Sequence, residues 1–109
     1  MNTEIIESMD SVELTARCTE VATILKSLAN PDRLKLMCAL WDGEKTVGEL
    51  EVYADVSQSL ASQFLRRLKL EGIVSSRKEG VFVYYQIADD RVRQLVQSLY
   101  VIFCGGKLK

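Results

Sequence analysis

The stretch TVGELEVYADVSQSLASQFLRRLKLEG, Thr46 to Gly72, decides the fold. Thr46 followed three residues later by Glu49 is a capping box, so a short helix is expected from Val47 to about Ala54. Ala54-Asp55-Val56 then separates it from Ser57, a good cap for a second helix over about Gln58–Glu71 that stops at Gly72. Asp55 falls where so tight a turn can require left-handed backbone, which Asp tolerates better than most residues. Two helices joined this closely form a helix-turn-helix. In the second one, at about 100° per residue, Leu60, Ala61, Phe64, Leu65 and Leu68 gather in an arc of about 140°. The opposite arc holds Gln58, Ser59, Ser62, Gln63, Arg66, Arg67 and Lys69. An inert solvated face more often alternates Glu and Lys, whereas this one is rich in amide and hydroxyl groups, with cations toward its C-terminal half.

Downstream, the period turns strand-like. Residues Ile73–Lys78 and Val81–Ile87 flank Glu79-Gly80, a hairpin signal. Val81, Val83, Tyr85 and Ile87 are expected to face the core, with Phe82, Tyr84 and Gln86 outward. Asp89 or Asp90 can cap a last helix with an apolar stripe of Val92, Leu95, Val96, Leu99, Ile102 and Phe103, closed by Gly105-Gly106. Upstream, Ala16, Val21, Ala22, Ile24, Leu25, Leu28 and Ala29 recur at helical spacing over Val12–Ala29. Asn30 caps the next helix and Pro31 takes its first position. Leu34, Met37, Cys38 and Trp41 line one face of that helix, which is expected to run to about Asp42-Gly43. Residues 1–11 are polar, without long apolar periodicity, and are read as a frayed arm before a single domain over 12–109. The fold class is mainly α with a β-hairpin wing, in the order ααααββα.

A length of 109 residues suits one domain, and 48% hydrophobic with 27% charged residues is the balance of a globular protein. No apolar run is long enough to span a bilayer, and the acidic start is unlike a signal peptide, so no membrane partner and a cytoplasmic location are expected. The chain has no histidine. The commonest general acid-base and the commonest zinc ligand are therefore both missing, and with no paired carboxylates at catalytic spacing an enzyme is not expected. No cofactor is implied. Net charge is −1, but residues 57–80 carry five basic and two acidic groups, a basic stretch in a mildly acidic body. That asymmetry suits a polyanionic partner if folding gathers the cations on one surface.

A helix-turn-helix whose second helix is polar, followed by a hairpin with cations near its tip, is the winged variant of the DNA-reading motif. Ser57, Gln58, Ser59, Ser62 and Gln63 can reach base edges or phosphates of double-stranded DNA, while Arg66, Arg67, Lys69, Arg77 and Lys78 supply phosphate contacts. The competing readings are a merely solvated face and a winged helix used for protein contacts.

From Ile24-Leu25-Lys26-Ser27-Leu28-Ala29-Asn30-Pro31-Asp32-Arg33-Leu34 through Val47-Gly48-Glu49-Leu50, Ser57-Gln58-Ser59 and Arg77-Lys78-Glu79-Gly80 to Tyr84-Tyr85, the chain resembles the ArsR/SmtB family of bacterial repressors. The resemblance covers about residues 18–104 and implies a homodimer built from the first and last helices that binds an inverted-repeat operator. Many members carry a Cys-x-Cys metal motif where this chain has Glu49-Leu50-Glu51-Val52-Tyr53, so no metal site is expected. Cys38 and Cys104 resemble instead the thiol pair of the subgroup that senses reactive sulfur (SqrR, BigR and HlyU types). Departures from the family pattern bear on the DNA contacts: Phe64 stands where His is common, Leu60-Ala61 reverses a usual order, and Asp55 replaces a turn Gly.

By spacing alone, Cys38 on an apolar face reads as a buried structural cysteine. The resemblance implies a redox switch with Cys104, with persulfide or polysulfide as inducer and Cys18 incidental. Cys104 ends a helix, where the macrodipole disfavours its thiolate, whereas Cys38 has Lys35 one turn earlier and is expected to attack first. A disulfide needs Cα atoms within about 7 Å, and each inserted S–S bond adds roughly 2 Å, so thiols held slightly too far apart resist simple oxidation yet close through a polysulfide. A regulator of the same family that is constitutive, or answers to a metal ion or general oxidant, is the alternative.

Overall fold

A computed structural model describes residues 9–105. Most of the expected arm, residues 1–8, and Gly106 lie outside the described residues. Helix α1 (Ser11–Leu28) begins one residue earlier than the periodicity indicated, because the Asp10 carboxylate accepts from the Glu13 N–H at 2.7 Å. Thr15, Thr19, Thr23 and Ser27 each donate their hydroxyl to the carbonyl four residues back, so one polar stripe of the helix satisfies itself. Only Ser27 and Leu28 of α1 are buried. Val21 and Leu25 remain 46% and 47% exposed although they lie on the apolar stripe.

Asn30 accepts from the Asp32 and Arg33 N–H groups and starts α2 (Pro31–Leu40) as expected. The helix ends at Leu40, short of Asp42-Gly43, in a tight turn where the Trp41 N–H donates to the Cys38 carbonyl at 3.3 Å. Its burial exceeds the expected stripe. Leu36, Met37 and Leu40 are sealed, while Leu34, Cys38 and Trp41 are only partly covered. Neighbours on several sides, α1, α3, α5 and β3, explain the difference, since one stripe cannot serve four contacts.

A two-residue strand β1 (Lys45–Thr46) follows, unexpected from the sequence because two residues carry no period. The capping box of α3 (Val47–Ala54) is present in both directions, Thr46 to Glu49 and back. Asp55 has φ 53° and ψ 54°, the left-handed turn residue that the spacing required. Helix α4 (Gln58–Leu70) is capped by Ser57, whose hydroxyl accepts from the Leu60 N–H at 3.2 Å. Strands β2 (Val74–Glu79) and β3 (Phe82–Ile87) pair antiparallel from Val74 with Ile87 to Glu79 with Phe82, and β1 adds to the other side of β3. Val81 does not face the core as expected. It lies beyond the last strand pair, at the hairpin tip, and is 87% exposed. Tyr84, expected outward, is half-covered because the Arg77 guanidinium lies 4.5 Å from its ring centre.

Asp89 caps α5 (Asp90–Cys104). Its stripe divides: Val92 and Val96 are buried against the helices, whereas Ile102 and Phe103 are 70% and 79% exposed. The radius of gyration, 15.6 Å, exceeds the roughly 13 Å of a compact chain this size. The molecule is elongated, 50 × 31 × 22 Å, with apolar flanks of α1 and α5 uncovered. No helix among the described residues is long and apolar enough to cross a membrane.

Left-handed backbone costs a residue with a branched Cβ about 1–2 kcal/mol, and glycine nothing. Asp55→Gly should therefore leave stability equal or higher and Asp55→Val should lower it by about 1–2 kcal/mol, measured by urea denaturation. Equal stability of the two variants counts against the turn geometry.

Candidate functional site

Two separate surfaces emerge. On the first, α4 turns Ala61, Leu65 and Leu68 into the core, which leaves Gln58, Ser59, Gln63, Arg66, Arg67 and Lys69 exposed and Ser62 partly so. Ser57 is exposed at the helix start, although its hydroxyl is already engaged as the cap. The cations differ in commitment. Arg67 pairs with Glu71 at 3.6 Å, while Arg66 and Lys69 have no ion pair among the described residues.

Arg77 is the most committed. Its Nε lies 2.9 Å from one Glu44 carboxylate oxygen, its other nitrogens reach Glu44 again and Glu79, and its plane covers Tyr84. The hydrogen bonds it donates to these two carboxylates raise its pKa further, and the same contact lowers that of Glu44. The guanidinium thus braces the wing against the segment before β1. Neighbouring Lys78 is exposed, with no ion pair among the described residues, and is the freer cation of the hairpin. Glu44 lies thirty-three residues from Arg77, and no sequence signal joins them.

The second surface is an open cleft of about 350 Å³ between α2, α3 and α5, lined by Leu34, Cys38, Tyr53, Tyr100 and Cys104 among others. The structure brings together the two thiols that the resemblance paired. Spacing explains the alignment: Leu34 and Cys38 lie one turn apart on α2, as Tyr100 and Cys104 do on α5. Tyr53 and Tyr100 were missed as cleft residues, though Tyr100 could have been found from its four-residue distance to Cys104. The Arg93 guanidinium donates to the Trp41 carbonyl and ties the first turn of α5 to the residue just past the end of α2. Cys18 is exposed on α1 and does not line this cleft.

Lys35 does not activate Cys38 as expected. Lys35 lines the same cleft, but its ammonium lies 3.3 Å from Asp32 and 3.4 Å from the Asp55 carbonyl in the turn between α3 and α4, and it does not lower the Cys38 pKa. Burial, and secondarily the neighbouring Cys104, push the Cys38 thiol above its ordinary pKa. Cys104 is the exposed thiol of the pair. Cys104 is thus the more accessible thiol and Cys38 the sheltered one.

A helix-turn-helix with an outward polar helix and a braced three-stranded wing defines a winged-helix DNA-binding regulator. The chain belongs to the ArsR family. The model described as bacterial regulatory protein, arsR family, matches residues 30–76. A biofilm growth-associated repressor of Agrobacterium fabrum is 48% identical over 89 residues, covering 82% of this chain and 76% of the relative. The crystal structure of the transcriptional repressor BigR from Xylella fastidiosa superposes with a TM-score of 0.80 at 41% identity, over 88% of this chain and 98% of that one. A solution structure of the homodimeric winged helix-turn-helix domain of a possible ArsR-family regulator from Mycobacterium bovis gives 0.71 at 33% identity, over 87% and 88%. These relatives are regulators, a class without enzymatic activity.

The raised Cys38 pKa has a direct consequence. Only the thiolate alkylates, so at neutral pH Cys38 should react with iodoacetamide more slowly than exposed Cys18, with a rate that climbs at higher pH than for an ordinary thiol. Peptide mass mapping of timed reactions reads this. Cys38 labelling first at neutral pH contradicts the assignment.

Proposed function

We propose that the chain is a homodimeric cytoplasmic repressor that binds an inverted-repeat operator in double-stranded DNA and is released by reactive sulfur species. The observation that carries the switch is the common cleft of Cys38 and Cys104, formed where α5 packs on α2. The uncovered apolar residues of α1 and of the end of α5, including Val21, Leu25, Ile102 and Phe103, supply the dimer surface. They also explain the elongated monomer, since a partner's helices fill the missing side. Two α4 helices then address successive major grooves with Ser57, Gln58, Ser59, Ser62 and Gln63, while Arg66, Arg67 and Lys78 hold phosphates. Arg77 acts in this scheme through the wing it braces.

In the switch, the Cys104 thiolate attacks a sulfane sulfur, breaking an S–S bond whose electron pair leaves with the departing sulfide. Cys38 then attacks the chain on Cys104, a second sulfide leaves, and a polysulfide bridge joins α5 to α2; both thiols are oxidised and the donor is reduced. Tyr53, on the first helix of the helix-turn-helix, lines the same cleft, so sulfur occupying it presses on the DNA-reading unit. A tenfold loss of affinity needs only about 1.4 kcal/mol of difference between bridged and open states.

Mass spectrometry after polysulfide, peroxide and disulfide treatment, paired with DNA titrations at fixed salt, tests this reading. A cross-link between residues 38 and 104 that carries extra sulfur and forms only with polysulfide, at least tenfold weaker DNA binding, and a Cys38→Ser variant that binds DNA but ignores polysulfide are expected. DNA binding indifferent to all three reagents would instead support a constitutive regulator or one answering to another ligand.

A further inference from the structure

A second cavity, against α4 and sharing no lining residue with the thiol cleft, has no role in the switch. It is a cleft of about 620 Å³ where the end of α1, the start of α2 and the end of α4 meet, and Lys26, Arg33, Arg67 and Glu71 line it with Thr23 and Ser27. Three cations against one carboxylate leave it net positive. Both hydroxyls are already committed, Thr23 to the Thr19 carbonyl and Ser27 to the Thr23 carbonyl, so the hydrogens left for a ligand are those of the cations.

Arg33 is the unusual member. Its guanidinium lies over the Phe64 ring, 5.3 Å from the centroid, and its Nε is buried with no hydrogen-bond partner among the described residues. A sealed guanidinium N–H without an acceptor is costly; being sealed, it meets a ligand only if the guanidinium shifts, so that cost favours such a shift when an acceptor enters the cleft. Stacking on Phe64 fixes the guanidinium plane beside α4, with Arg67 one turn further along that helix. Lys26, at the end of α1, has no ion pair among the described residues. Planar guanidinium groups are suited to bidentate binding of tetrahedral oxyanions, and an ammonium adds a point charge.

We propose that this cleft is an oxyanion site that takes a phosphate group on Arg33, Lys26 and Arg67. Glu71 competes for the site through its pair with Arg67 at 3.6 Å, so an entering phosphate displaces that carboxylate. The phosphate comes from the backbone of DNA lying against α4, or from a small phosphate-bearing molecule. Only the DNA source rests on the function proposed above.

Two arms separate the sources. In the first, inorganic phosphate is titrated into the full chain against chloride at equal ionic strength, with amide NMR shifts as readout. Shifts centred on residues 26–33 and 67–71 are expected, lost in Arg33→Gln and in Lys26→Gln, the latter an exposed site whose change leaves the core intact. Glu71→Gln should strengthen phosphate binding by about two- to fivefold, what an exposed ion pair is worth. In the second arm, the salt dependence of duplex DNA binding is compared between the wild-type chain and Lys26→Gln. A slope reduced by about 0.9 places a DNA phosphate in the cleft. An unchanged slope with phosphate shifts present assigns a small phosphate-bearing ligand. Absence of localised phosphate shifts together with an unchanged slope overturns the site. A wild-type chain that binds no DNA counts against the proposed function, and the phosphate arm alone then decides the cleft.

Discussion

Everything in this molecule is arranged around α2. Leu36, Met37 and Leu40 are sealed from solvent, and α1, α3, α5 and β3 all pack against this one short helix. Losing any of these side chains to alanine removes apolar contact at the point where four other elements meet, a change worth about 2–5 kcal/mol. Asn30 and Pro31 start the helix at a fixed residue, and the tight turn at Trp41 ends it, so its few turns are set in register. Cys38 is carried on that register. Anything attached to this half-sheltered thiol would lie between the central helix and the last one.

The two chemical surfaces are connected through the same helix. Cys38 and Cys104 share a cleft with Tyr53, which belongs to the first helix of the DNA-reading pair, and Lys35 on α2 holds the Asp55 carbonyl in the turn between α3 and α4. In the proposed switch, a change in how α5 sits on α2 would reach the turn through these contacts without any long path. The wing is held independently. Glu44 and Glu79 grip Arg77, which covers Tyr84, while the two-residue strand β1 zips the preceding segment onto β3. Exposed ion pairs are individually weak, but here three contacts meet on one guanidinium and fix its plane. The cation is thereby a brace, and Lys78 beside it has no ion pair among the described residues.

Local chemistry made much of this legible. Capping at Asn30, at Thr46 with Glu49, and at Ser57 depends on groups two or three residues apart, and the left-handed Asp55 follows from the length of a turn. What was not legible depended on distant partners. Val81 alternates correctly yet sits at the hairpin tip, because register decides which residues lie between strands. Lys35 is one turn from Cys38 in sequence, but its ammonium turns to Asp32 and the Asp55 carbonyl, so the thiol receives burial and no cation.

The amino-acid sequence by itself determined the helices, their caps, the helix-turn-helix, the hairpin and the family, because each depends on short-range periodicity, on side chains bonding backbone within one turn, or on motifs read in order. Only the tertiary structure decided that Cys38 and Cys104 open onto one cleft, that Arg77 is bound by Glu44, and that Arg33 lies over Phe64 with an unmet N–H. Those outcomes depend on how α2, α4 and α5 pack, and packing brings together groups tens of residues apart whose spacing in the chain carries no signal.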